Sequence, residues 1–373
     1  MSEMSGELYI GLMSGTSMDG VDGVLIDFDQ HPWVARAHAH RPFPAELKRV
    51  LMGLNYPGPD ELHLSAMAGQ DLARLYADVV GQVCEQAGIG PAKVRAVGAH
   101  GQTVRHRPEL GYTLQLNAPA LLAELTGIDV VADFRSRDVA AGGQGAPLVP
   151  AFHAALLGAV QRDDAVVLNI GGMANVSIIR MGLPPLGFDC GPGNALMDSW
   201  CERHTGAAYD ANGDWGASGR HDEAAVIHAL THEYFMRPPP KSTGRDLFNE
   251  DWLQTWLDQT DLRQRAPEDI QASLCEITAR SCAMAIQCHA PAGTPVLVCG
   301  GGAFNHALMG RLRGHLPSSD LKPSDAIGLP VMQVEAAAFA WLAHQHVHHL
   351  PANAPAVTGA RGLRILGAMY PAG

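Results

Sequence analysis

The residues best suited to chemistry form a turn close to the N-terminus. Residues 14–17 read Ser-Gly-Thr-Ser, and Asp19 and Gly20 follow within a few positions. Hydroxyls and exposed backbone N–H groups at this density make a nest for an anion such as phosphate. A P-loop is excluded, because no lysine follows the glycines and Gly20 leads into another apolar run instead of a helix. An ordinary hairpin turn is the alternative.

A second candidate is the carboxylate of Asp189, in the segment 188–194 that reads Phe-Asp-Cys-Gly-Pro-Gly-Asn. It is expected at the end of a strand, where the neighbouring glycines let a ligand approach the backbone and Pro192 is suited to begin a helix. In that position it would serve as a general base. The alternative is that Asp189 and Asn194 only cap the following helix.

Three weaker signals accompany these two. The run Gly300, Gly301 and Gly302 follows a buried strand and could let an adenine ring lie against bare backbone, although a tight strand-to-helix turn has the same composition. Donor-rich segments at 99–107 and 133–138 could line one cleft or could be ordinary surface charge. Histidines at 344, 346, 348 and 349 fit a metal site, but the pattern favours a histidine-rich helix end stabilised by the macrodipole.

The elements that must position these residues follow from periodicity. Apolar residues alternate over 9–13 and 21–26, which predicts two strands around the first turn. Residues 164–180 repeat the pattern around Gly171 and Gly172, which predicts a duplicated fold whose halves face each other across a cleft. Strand and helix signals alternate elsewhere, as in an α/β protein. We place the domains at 1–145 and 146–373, with the option that the tail packs back on the first.

Composition narrows the class of protein. The 373 residues are 47% apolar and can bury the cores of two domains. A formal net charge of -12 argues against nucleic acid or an anionic membrane surface as the partner. Seven cysteines without a C-x-x-C pair predict reduced thiols. We therefore expect a cytoplasmic protein that acts on small molecules, and we leave a homodimer open.

Several segments, taken together, resemble one enzyme family. Residues 11–22, 98–104, 169–175, 188–194 and 298–302, with the tail 357–371, are similar in order and content to the anhydro-N-acetylmuramic acid kinases. That family belongs to the superfamily of actin, hexokinase and the heat-shock chaperone ATPases. The resemblance therefore implies two duplicated α/β domains, each a mixed sheet flanked by helices, around a central cleft that closes over ATP and a sugar.

The resemblance also implies a reaction. The family uses ATP and water to open 1,6-anhydro-N-acetylmuramic acid and to phosphorylate it to N-acetylmuramic acid 6-phosphate in cell-wall recycling. Asp189 matches the catalytic aspartate, which would activate the water while O6 takes the γ-phosphoryl group. Two alternatives stay open. The chain could be another sugar or carboxylate kinase of the superfamily, or an ATP-binding regulator without turnover.

The remaining site residues are carried over by position. The expected ATP contacts are Gly15, Thr16, Ser17, Met18, Asp19, Gly20, Val21 and Asp22 in the first turn, Gly171, Gly172 and Asn175 in the second, and Gly300, Gly301 and Gly302 for adenosine. Asp19 or Asp22 would position Mg²⁺. The expected sugar contacts are Thr103, Glu335 and, for the lactyl carboxylate, Arg137 or Arg135. The chain departs from the family at 330–335, where an aspartate often found before Val-Glu-Ala is missing.

Overall fold

The chain folds into two compact units. The computed structural model describes residues 6–15, 18–161, 164–244 and 247–373. One unit spans 1–162 together with 327–373, and the other spans 163–326. The division therefore differs from the one expected at 145/146, because the chain returns to the first unit at 327. The helices at 149–159 and 334–347 pack against each other, which keeps both segments in that unit.

The elements of the described residues are these. The strands are β1 (Leu8–Met13), β2 (Gly20–Asp27), β3 (Ala35–Pro42), β4 (Ala96–Ala99), β5 (Gln102–Arg107), β6 (Tyr112–Leu116), β7 (Val130–Ala132), β8 (Ala165–Ile170), β9 (Met173–Ile179), β10 (Leu186–Pro192), β11 (Val296–Cys299), β12 (Leu321–Pro323) and β13 (Ala368–Tyr370). The helices are α1 (Ala45–Gly53), α2 (Glu61–Ala87), α3 (Pro119–Thr126), α4 (Ser136–Ala140), α5 (Val149–Ala159), α6 (Ala195–Thr205), α7 (Asp214–Ser218), α8 (Glu223–Leu230), α9 (Glu233–Met236), α10 (Glu250–Gln259), α11 (Pro267–His289), α12 (His306–His315), α13 (Val334–Val347) and α14 (Pro355–Thr358).

The main sheets of the two units share one strand order. The first reads β3-β2-β1-β4-β7 with β13 added at the edge, and the second reads β10-β9-β8-β11-β12. In each, the three strands that come first in the chain form antiparallel pairs, and the next two extend the sheet in parallel. The predicted fold class, a mixed α/β protein with helix-flanked sheets, is confirmed. Strand β3 escaped prediction because its alternating residues are alanine and histidine, which are weak strand formers.

In the first unit, α13 lies directly on the sheet. A Cβ atom at Gly11 would overlap the carbonyl oxygen of Ala336, and one at Gly98 would overlap that of Phe339. The two glycines are paired in register on β1 and β4, so together they leave a flat surface for the helix backbone. This contact sets where the first turn of α13, which carries Glu335, lies relative to the sheet.

In the second unit, α11 packs against β9 and β10. This helix is buried along most of its length. Thr278 donates from Oγ1 to the carbonyl oxygens of Pro192 and Gly193, both at 3.1 Å. The helix therefore holds the segment that follows Asp189. None of the helices among the described residues is long and apolar enough to cross a bilayer.

Candidate active site

The turn between β1 and β2 rests on a buried hydroxyl. The Oγ of Ser14 lies 2.9 Å from the hydroxyl of Tyr76 and donates to the carbonyl oxygen of Gly101 at 3.1 Å. Met18 has a left-handed φ of 52°, and its N–H donates to Gly15 at 3.2 Å. Ser14 is therefore part of the support of the turn. Thr16 and Ser17, both predicted phosphate contacts, lie outside the described residues.

A buried histidine connects this turn to Arg135. Nε and Nη2 of Arg135 lie 3.1 and 3.0 Å from Nε2 of His100. Because a guanidinium only donates, Nε2 is the acceptor and Nδ1 carries the proton that is donated to the carbonyl oxygen of Ser14 at 3.2 Å. Burial, with the charge of Arg135, lowers the pKa of His100 to about 3, which agrees with a neutral ring. Nη1 of Arg135 also donates to Gly145 at 2.9 Å.

Carboxylates gather beside the same turn. Burial raises the pKa of Glu335; the charge of Arg135 opposes that rise, and the charges of Asp22 and Asp19 add to it. Glu335 is therefore within electrostatic range of both predicted magnesium ligands. Oδ1 of Asp22 lies 3.0 Å from Nε2 of His38 and 3.2 Å from Nδ1 of His40, so this oxygen is already engaged. Carboxylate oxygens are the donors that Mg²⁺ prefers, so the residues present fit this ion, and the assignment of Asp19 and Asp22 as its ligands stays a prediction.

The predicted sugar contacts are only partly brought together. Thr103 lies on β5, where its Oγ1 accepts from Gln115 at 3.2 Å. Burial and the charge of Arg135 lower the pKa of His106 on the same strand, so Arg135 is close to β5 as well as to Glu335. Arg137 is exposed on α4, and in the described part of the chain no hydrogen bond or ion pair joins its guanidinium to Thr103 or Glu335.

The second turn, Gly171 and Gly172, accepts three hydrogen bonds from backbone N–H groups. The N–H groups of Gly193 and Ala195 donate to Gly172 at 3.0 and 3.1 Å, and that of Asn194 donates to Gly171 at 2.8 Å. A Cβ atom at Gly193 would overlap the carbonyl oxygen of Gly171. Only glycine permits this approach, which binds the turn to the segment that precedes α6.

The third glycine segment, 300–302, lies against Ile170 and Asn194, next to the second turn. Gly300 has a left-handed φ of 79°, and a Cβ atom at Gly302 would overlap the side chain of Ile170. Asn194 occupies the N-cap position of α6 without a capping bond from its side chain, and its Nδ2 instead donates to Ile170 at 3.1 Å. The alternative in which Asn194 caps the helix through its side chain is therefore wrong. It ties the second turn to the strand beneath it.

Asp189 lies within β10 and not at its end. Pro192 is the last residue of that strand, and α6 begins at Ala195, so Pro192 does not itself begin the helix. Asp189 pairs with Asn175, which pairs with Asn169, so the three polar residues form one row across adjacent strands. Residues paired in register point to the same face of a sheet. A β-bulge follows Asp189 and redirects the strand.

The carboxylate of Asp189 is held on one side only. Oδ2 accepts the backbone N–H of Thr243 at 2.8 Å, and Oδ1 accepts no hydrogen bond from a described residue. Burial raises the pKa of Asp189 to about 6, although the bond from Thr243 and the charge of Lys241 pull in the opposite direction. A carboxylate with this pKa can take a proton near neutral pH.

The segment beside Asp189 is the main element that sequence reasoning missed. The carbonyl oxygen of Lys241 accepts the N–H of Asp189 at 3.2 Å. Its Nζ donates to Tyr234 and Phe235, both at 3.2 Å, and lies 4.9 Å from the ring centroid of Tyr234. The hydroxyl of Tyr234 in turn donates to the carbonyl oxygen of Asp189 at 2.7 Å. The run Lys-Ser-Thr-Gly at 241–244, rich in turn-forming and hydroxyl residues, is the signal that could have found it.

Comparison with known proteins identifies the family. The sequence profile of anhydro-N-acetylmuramic acid kinase matches residues 7–372. The chain is 55% identical over 372 residues to the anhydro-N-acetylmuramic acid kinase of Bordetella pertussis, covering 100% of this chain and 98% of that protein. It is 54% identical to the enzyme of the same name from Cupriavidus metallidurans, with 99% of each covered. This chain belongs to the anhydro-N-acetylmuramic acid kinase family.

Membership in this kinase family confirms the predicted family and the predicted class of enzyme. Among solved structures, the chain is similar to the activator of the 2-hydroxyisocaproyl-CoA dehydratase from Clostridium difficile with bound ADPNP. That likeness has a TM-score of 0.48 and 11% identity, and it covers 92% of this chain and 96% of the other. The roles of individual residues in the anhydro-N-acetylmuramic acid kinase site stay predictions.

Proposed function

We propose that this chain converts 1,6-anhydro-N-acetylmuramic acid, ATP and water into N-acetylmuramic acid 6-phosphate and ADP, as a step of peptidoglycan recycling. One observation carries the proposal. Asp189 combines a pKa of about 6 with one oxygen fixed by Thr243 and a second oxygen that accepts no hydrogen bond from a described residue. A kinase that only transfers phosphate to a free hydroxyl can use such a base, but a hydrolytic kinase needs it to activate water.

The chemical step balances as follows. Oδ1 of Asp189 takes a proton from a water molecule whose oxygen attacks the anomeric carbon. The bond between that carbon and O6 breaks, and O6 takes the γ-phosphoryl group as the bond to ADP breaks. The proton leaves Asp189 for solvent. In an inverting glycosidase a carboxylic acid protonates the departing oxygen, and here phosphoryl transfer stabilises it instead.

The first unit supplies grip and orientation in this proposal. Backbone N–H groups and hydroxyls of the turn from Gly15 to Asp22 would bind the ATP phosphates. Asp19 and Oδ2 of Asp22 would hold Mg²⁺, which neutralises phosphate charge when bound. Arg137 is the better receptor for the lactyl carboxylate, because Arg135 already donates to His100 and Gly145.

The other predicted contacts with the sugar and the nucleotide have the roles stated in the sequence analysis. Thr103 and Glu335 would meet the sugar. In the second unit, Gly171, Gly172 and Asn175 would approach the phosphates from another side, and the close-packed backbone at Gly300, Gly301 and Gly302 would carry the adenosine. The convergence of these glycine segments on Ile170 supports a single nucleotide site in that unit.

An ADP-release assay with four acceptors tests the proposal. We expect turnover with the anhydro sugar and none with glucose, glycerol or acetate. In ¹⁸O-water the product should gain one label at the anomeric position, measured at early times against unlabelled product placed in the same water to correct for exchange. Turnover without label would mean phosphorylation without ring opening. The absence of ADP release with every acceptor would favour a binding protein.

A further inference from the structure

A cluster of metal-ligating side chains lies away from the proposed active site, where β1 begins and α13 ends. Glu7 immediately precedes β1, His344 lies in the last turn of α13, and His348 follows its final residue. One ligand atom from each of the three lies within 4.8 Å of the other two. The pattern of the sequence alone favoured a helix end, because nothing in it placed Glu7 beside these histidines.

The spacing suits a transition metal. Four residues apart on a helix, His344 and His348 share one face, and their ring centroids are 4.4 Å apart. Zn²⁺ binds nitrogen at about 2.0–2.1 Å, so adjacent ligand atoms of a tetrahedral site are roughly 3.3 Å apart. Oε2 of Glu7 and Nε2 of His348 are already 3.1 Å apart. The ligand atom of His344, within 4.8 Å of the other two, is the one that must move closer to close the site.

The ligands are also supported from outside. The hydroxyl of Tyr9 donates to Oε2 of Glu7 at 3.0 Å, and Asp29 accepts the backbone N–H of Glu7 at 3.0 Å. The ring of His344 packs against Tyr9 and Phe28, with centroids 5.2 and 4.7 Å away. Outer contacts of this kind fix the orientation of metal ligands, and the negative end of the helix macrodipole favours a cation here.

We propose that Glu7, His344 and His348 bind one divalent transition-metal ion, with Zn²⁺ the best match to two imidazoles and a carboxylate, and with water completing the coordination. The ion would join the start of β1 to the end of α13. The other ends of these two elements carry the phosphate turn and Glu335, so the site would stabilise the first unit without touching substrate.

Metal titration of the untagged, EDTA-treated chain tests the proposal. Isothermal calorimetry should give one Zn²⁺ per chain, and the melting temperature should rise on binding. His348→Ala and Glu7→Gln should each weaken binding about 100-fold or more. His349→Asn is the matched control, since it removes a neighbouring exposed histidine at a left-handed φ of 54° that asparagine tolerates. It should bind Zn²⁺ like the parent chain.

A second measurement identifies the ligands. X-ray absorption of the zinc-loaded chain should show two imidazoles, and one of them should disappear in His348→Ala. Affinity weaker than about 0.1 mM for the parent chain would overturn the proposal. So would affinity retained in both ligand variants, or lost equally in His349→Asn. With Mg²⁺ and ATP supplied, ADP release by the zinc-free variants should match that of the zinc-free parent chain, which separates this site from the proposed reaction and shows that the variants fold.

Discussion

The two main sheets have the same strand order but hold their hairpin turns differently. The turn after β1 is supported by side chains distant in sequence, namely Tyr76, His100 and, through His100, Arg135. The turn after β8 consists of two glycines and is held by backbone N–H groups of residues 193–195. With the same strand order, the longer turn after β1 is therefore supported by buried polar side chains, and the shorter turn after β8 by close backbone contact.

The two sheets also differ in the size of the residues at equivalent strand positions. The fourth residue of β1 is Gly11 and the third of β4 is Gly98, whereas β8 and β11 carry Leu168 and Val298 there. Both of these larger residues are buried in the hydrophobic core of the second unit. The first sheet therefore receives a helix backbone directly, and the second packs through side chains.

Electrostatics separates the two units further. In the first, the turn rests on a neutral histidine, and Arg135 faces the carboxylates. In the second, Asp189 is buried with a charge that its neighbours only partly offset, so its pKa rises. The first turn is thus surrounded by groups of opposite charge, whereas Asp189 is a buried carboxylate with a raised pKa.

The largest expected effect is on turnover. Asp189→Asn keeps an acceptor for the N–H of Thr243 but removes the base, so kcat should fall about 10²- to 10⁴-fold while ATP binding persists. ADP release measures kcat, and calorimetric titration with ATP measures ATP binding.

In the first unit, Asp22→Asn should raise the KM for ATP more than it lowers kcat. Asp325→Asn, an exposed carboxylate of the second unit, is the control. Full activity of Asp189→Asn would contradict the proposal that the second unit supplies the base.

The next effect concerns the contact between sheet and helix. Gly11→Ala should push α13 off β1 and lower the free energy of unfolding by about 3 kcal/mol or more, because the new methyl group meets backbone that cannot rotate away. Denaturant unfolding followed by circular dichroism measures this change. Gly81→Ala, on an exposed position of α2 with open space, should instead stabilise by about 0.5–1 kcal/mol. Similar values for the two would show that the close approach is not important.

A smaller loss is expected where side chains support the first turn. Tyr76→Phe removes the acceptor of the Gly101 N–H, at 3.1 Å, and the partner of Ser14. An unpaired buried N–H costs about 1–3 kcal/mol, so unfolding should become easier by that amount and the KM for ATP should rise. Tyr209→Phe, at an exposed position in the second unit, should leave both unchanged. An unchanged KM would mean that the turn holds its shape without this hydroxyl.

The smallest effect is the pH dependence of kcat/KM that we expect from Asp189 in the second unit. Asp189 must be ionised to take a proton, so kcat/KM should fall about tenfold per pH unit below about 6. A pH series of initial rates measures this. A profile that stays flat from pH 5 to 8 would contradict the raised pKa.

The raised pKa of Asp189 also makes the stability of the folded chain depend on pH. The folded-state pKa of Asp189 lies above its ordinary value of 3.8, so its contribution to stability is fully present below that value and is lost as the pH rises through about 6. Asp189→Asn should therefore be more stable than the parent chain at about pH 8, and the difference should shrink toward pH 5. Melting temperatures across that range measure it, and a difference independent of pH would argue against a buried charge.

The α/β fold class and the positions of the glycine segments were predictable from the sequence, because turn residues and period-two patterns are local signals. The supports of the site were not. Ser14 and Tyr76 are 62 residues apart in the chain, and Asp189 and Thr243 are 54 apart. No pattern within a short window connects such pairs, so the network around His100 and the segment at 241–244 became visible only in the folded chain.

By itself, the sequence determined where the hairpins turn, which segments must be glycine and which carboxylate is the candidate base, since each depends on a residue and its immediate neighbours. Only the tertiary structure decided the pKa of Asp189, the hydrogen bond that Arg135 donates to His100, and the contact of Glu7 with His348, 341 positions away. The physical reason is that burial, charge and ligand geometry are set by segments that come together when the chain folds.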